Sequence, residues 1–70
     1  MTEEEITKSI LSAYDSVNLI NELELLEEPE QADIDTIERN KKHITIMLEI
    51  EWFSSALTVE QLDELTLYKY

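Results

Sequence analysis

The chain has 70 residues, room for one small domain and too few for an enzyme built as two halves around a cleft. It is 43% hydrophobic with no Gly and a single Pro, which excludes the turn-rich β folds and leaves a compact, mostly helical chain. Seventeen acids against five bases give a net charge of −12, so nucleic acid and anionic membranes would repel it.

Thr2-Glu3-Glu4-Glu5 matches a capping box, with three glutamates at the positive end of the helix dipole, and predicts a helix from residue 3. Ile6, Ile10, Ala13, Val17 and Ile20 follow at steps of four and three and draw one apolar stripe. The stripe then shifts. Leu19, Leu23 and Leu26 lie a third to half a turn round from it at ~100° per residue, so the end of this helix, predicted at about residue 27, faces a second neighbour. Glu22 to Glu38 carries eight acids and no base with Pro29 inside, which places a connection near residues 28–32.

The second helix is predicted over 33–57, with Ile34, Ile37, Ile44, Met47, Leu48 and Trp52 on one face. Ile46, Ile50, Phe53 and Leu57 repeat the same spacing ~180° away, so this helix needs cover on both sides. Thr58-Val59-Glu60-Gln61 is a second capping box, with Leu57 and Leu62 at the staple positions, and predicts a third helix over 59–67. That helix is too short to stand alone and is expected to dock on the second face of the 33–57 helix. The terminal Tyr68-Lys69-Tyr70 reads as a fraying end. The expected architecture is a single all-α domain over 1–70: an antiparallel two-helix hairpin ~35–40 Å long plus a short C-terminal helix.

No cysteine means no disulfide, no thiolate nucleophile and no Cys-based zinc site. A bundle di-iron site needs Glu-x-x-His, but the lone His43 is preceded at that spacing by Asn40. Asp33-Ile34-Asp35 with Glu38 lacks the glycine and the alternating oxygens of a calcium loop and reads as an acidic helix start. No Ser or Cys is placed to use His43 as a base. Arg39, Lys41 and Lys42 make up most of the basic residues. They are expected to pair with Asp35 and Glu38 at i,i+4 and to neutralise part of the acidic first helix beside them. The chain is accordingly expected to be no enzyme and to hold no metal or cofactor.

A small core of this kind supplies little net stability, which makes self-association the expected completion of the fold. The surplus apolar positions Leu19, Leu23, Leu26, Ile46, Ile50 and Phe53 are the candidate interface, divided between the third helix and a second subunit across a two-fold axis. The alternative rests on charge. Residues 1–38 hold twelve acids and one base, Lys8, as in proteins that imitate a phosphate backbone and occupy the groove of a basic nucleic-acid-binding host protein. The acidic N-terminus is unlike a secretory signal and no apolar run could cross a bilayer, so a soluble cytoplasmic protein is expected.

Residues 36–61 run Thr-Ile-Glu-Arg-Asn-Lys-Lys-His-Ile-Thr-Ile-Met-Leu, then Trp52-Phe53 and Ala56-Leu57-Thr58-Val59-Glu60-Gln61. This stretch resembles short accessory proteins of tailed bacteriophages. The resemblance implies a viral source and an all-helical form, and carries no catalytic residue onto any position.

Overall fold

The computed structural model describes residues 2–70, which form four helices: α1 (Glu3–Glu24), α2 (Gln31–Glu49), α3 (Glu51–Ala56) and α4 (Val59–Tyr68). The fold is all-α, and its long axis measures 41 Å.

Thr2 opens α1 by accepting from the Glu5 amide at 3.2 Å, with Glu3, Glu4 and Glu5 in the first turn. The helix stops at Glu24. With no glycine to take a left-handed cap, the amides of Leu25 and Leu26 fold back onto the carbonyls of Glu22 and Leu23, each at 3.3 Å. Pro29 disfavours helix in the residue before it, and α2 starts two residues beyond it, where the Glu30 amide donates to Asp33 at 3.0 Å. The connection is therefore 25–30, slightly earlier than periodicity alone places it.

The predicted 33–57 helix is broken at Ile50. Its backbone is extended (φ −80°, ψ 119°), and its carbonyl accepts from the amides of Phe53 and Ser54 to restart the chain as α3. A straight helix with two opposite apolar faces would leave one of them in water. The break re-aims Phe53 into the same core as Ile44, and a β-branched residue accepts the extended state readily. Trp52, half-buried, meets the Phe53 ring edge-on with centroids 6.1 Å apart.

Thr58 and Gln61 exchange both bonds of the capping box, at 3.0 and 3.1 Å, and start α4 within the residue expected. The helix packs against both α1 and α2 rather than on one face of α2. Every helix contributes to one core: Ala13, Val17 and Ile20 from α1, Ile44 from α2, Phe53 from α3 and Leu65 from α4, none more than 3% exposed.

Phe53 is the largest of these side chains, and its truncation leaves a cavity that four helices meet around. Phe53→Ala is expected to cost ~3–5 kcal/mol, a large share of the stability of so small a domain. Leu67→Ala, at a position 82% exposed, should change stability by less than ~0.5 kcal/mol. Urea denaturation followed by circular dichroism measures both.

Candidate functional site: the open face of the hairpin

An antiparallel helix pair has a groove on each side. One is filled. Tyr14 of α1 donates its hydroxyl to Glu64 at 3.2 Å, and the Tyr68 hydroxyl donates to Asn21 at 3.1 Å, so α4 runs alongside α1 in the same direction. The Tyr70 amide donates to the Thr45 hydroxyl of α2 at 2.9 Å. The chain end expected to fray is tied to both long helices.

The other groove has no helix in it. Measured round α1 from Asn21, which faces α4, Leu19 and Leu23 lie ~160° away at 100° per residue, and Leu26 follows in the connection just past the helix end. Measured round α2 from Thr45, Arg39, His43, Met47 and Ile50 lie ~120–160° away, with Ile46 at the rim at ~100°. Leu19, Leu23, His43, Met47 and Ile50 are half-buried, whereas Leu26 is 45% and Ile46 50% exposed. Five of the six expected interface positions thus keep surface to offer. Phe53 does not: it is fully buried within its own chain, because the break at Ile50 turns it inward, and it is removed from the candidate interface. Ile50 itself also leans on the core.

The electrostatics differ from the expectation. Asp35 accepts from the Gln31 side chain at 3.0 Å, and Arg39 donates to the Thr36 hydroxyl at 3.3 Å. Among the described residues neither Asp35 with Arg39 nor Glu38 with Lys42 forms an ion pair; the two present are Lys8 with Glu4 at 3.4 Å and Lys41 with Glu24 at 3.9 Å. Exposed pairs gain so little that local hydrogen bonds displace them. Lys41 does neutralise part of the acidic first helix, as expected, and Arg39 is left without a carboxylate.

Periodicity gave no sign of two further features. Leu25 (82% exposed) and Ile34 (40%) sit at the end of the hairpin that α4, ten residues against the twenty-two of α1, does not reach. A shallow groove of about 640 Å³ on the outer side of α2 is bordered by Asp35, Glu38, Arg39, Lys42 and Tyr70. Its charges are mixed, and the Thr36 hydroxyl in it is engaged, donating to the Ala32 carbonyl at 2.8 Å while accepting from Arg39. Among the described residues no cluster of three or more His, Asp or Glu could hold a metal, and no helix is long and apolar enough to cross a membrane. Comparison with protein families, with curated proteins and with solved structures finds no match.

Burial raises the Tyr14 phenol above its ordinary value of 10.0, and the negative charge and hydrogen bond of Glu64 add to the effect. The neutral phenol is the form that folding favours. Its contribution to stability is therefore complete below pH ~10 and lost as pH rises through the raised value. Tyr14→Phe should melt slightly lower at neutral pH and lose less stability than the parent between neutral and strongly alkaline pH, as thermal melts at both will show.

Proposed function

We propose that this chain is a small non-enzymatic interaction protein whose partner is a second copy of itself. The observation that supports this reading is the unfilled groove of the hairpin. Leu19, Leu23, Leu26, Ile46 and Ile50 form an apolar face that α4 leaves uncovered on the opposite side. A two-fold dimer on this face would build a four-helix layer from two hairpins, with α4 of each copy on the outside. Phe53, sealed in the protomer, takes no part in it. The resemblance of residues 36–61 to phage accessory proteins supports a setting in the cytoplasm of an infected host.

Sedimentation velocity across a wide concentration range tests the proposal. A dimer mass rising with concentration is expected. Leu26→Ser or Ile46→Ser, each at a half-exposed site, should keep the helical spectrum and weaken the dimer on the order of tenfold or more, since the two-fold axis applies each change twice. A monomer at every concentration would overturn it.

One observation favours a second reading, mimicry of a phosphate backbone against a basic nucleic-acid-binding protein. The eight acids from Glu22 to Glu38 gather at the free end of the hairpin, where among the described residues only Glu24 has a cationic partner, beside the exposed Leu25, Leu26 and Ile34. Capture of such a protein, reversed by duplex DNA and weakened by salt, is its expected signature.

A further inference from the structure

The joint between α3 and α4 is built as a hinge. Leu57 (φ −81°, ψ 146°) and Thr58 (φ −72°, ψ 164°) are both extended, and among the described residues no backbone-to-backbone hydrogen bond crosses the link between them. On one side the Leu57 amide donates to the Ser54 carbonyl; on the other, Thr58 and Gln61 close their cap and the Leu62 amide donates to the Thr58 carbonyl. The start of α4 is thus satisfied from within. A swing about these two residues leaves the ends of both helices intact.

What holds α4 down is slight and concentrated in a short length. Leu65 is its one fully buried side chain, whereas Val59, Leu62 and Leu67 are exposed and Tyr68 is half-buried. Beside Leu65 stand the bonds of Tyr14 to Glu64 and of Tyr68 to Asn21, followed by the tail bond from the Tyr70 amide to Thr45. All three are exposed, and no ion pair joins α4 to the rest of the described residues. Hydrogen bonds open to water each contribute little. By contrast, α1 commits Ala13, Val17 and Ile20 to the core. Where buried apolar contacts are few, local opening costs least.

We infer that α4 is a hinged strap that lifts as one unit about Leu57 and Thr58 while the hairpin and α3 stay folded, with the hydroxyls of Tyr14 and Tyr68 as its latches. Lifting withdraws Leu65 from the cluster of Val17, Ile20, Ile44 and Phe53 and bares the filled groove in a minor population of the molecules. The strap lies on the side away from the open face, so its motion needs no second copy.

Native-state hydrogen exchange of the whole chain in low urea tests this. A lifted α4 is ten residues long, too short to stay helical, so lifting delivers its amides to exchange. Amides from Asp63 to Tyr68 should share one protection factor at least tenfold below that of Ala13 to Ile20. Their urea dependence should be less than half as steep, because lifting bares less surface than unfolding. Equal protection and equal slopes in the two helices would overturn the strap, since α4 would then open only with everything else. Protection that decays residue by residue back from Tyr68 would overturn it in favour of end fraying. Tyr68→Phe keeps the ring, removes the bond to Asn21 and should lower α4 protection about threefold; no change would remove the latch. Ser12 is exposed and lies ~160° round α1 from Tyr14, so Ser12→Gly weakens α1 through helix propensity alone. It should lower α1 protection about twofold and leave α4 unchanged, and a matching fall in α4 would again overturn independent lifting.

Discussion

The short helices α3 and α4 fill one side of the two-helix hairpin and leave the other uncovered. Most of the packing follows from that one-sided cover. The available apolar groups are gathered into a single core by α3 and α4, which wrap one groove and bring Phe53 and Leu65 against Ile20 and Ile44. The opposite groove keeps its leucines half in water. α3 and α4 close one side and leave a face with apolar character on a molecule that is strongly acidic.

The break at Ile50 is what makes the filled side work. Had the helix run on to Leu57, Phe53 would point away from Ile44 and the core would lose its largest side chain. Interrupting one helix costs a few backbone hydrogen bonds, and the Ile50 carbonyl limits the loss by keeping the bond from Ser54 and accepting a further one from Phe53. Burial of a phenyl ring outweighs the remainder.

Local signals in the amino-acid order were the readable ones. Thr58 with Gln61 specifies its helix start because both partners lie within one turn, and the region around Pro29 marks a connection for the same reason. The shifted stripe of Leu19, Leu23 and Leu26 was legible as a face turned elsewhere, and it lies on the unfilled side. What could not be read was nonlocal. Whether Ile50 bends depends on where the second apolar face can find cover, and that is decided by α1 and α4 rather than by the residues around Ile50. The anchoring of Tyr68 to Asn21 and of Tyr70 to Thr45 joins residues 47 and 25 positions apart. Helical spacing of Asp35 with Arg39 was visible, but the competition from Gln31 and Thr36 that displaces the pair was not.

Trp52 is the single tryptophan, half-buried and edge-on to Phe53, on the short segment that joins the hairpin to α4. Its indole is thus a native optical reporter placed at the joint between the two parts of the fold. Release of α3 from the core would move that ring into water and redden its emission even while the far-ultraviolet signal of α1 and α2 stayed intact. Loosening of the C-terminal half can in this way be told apart from separation of the long helices without attaching any label.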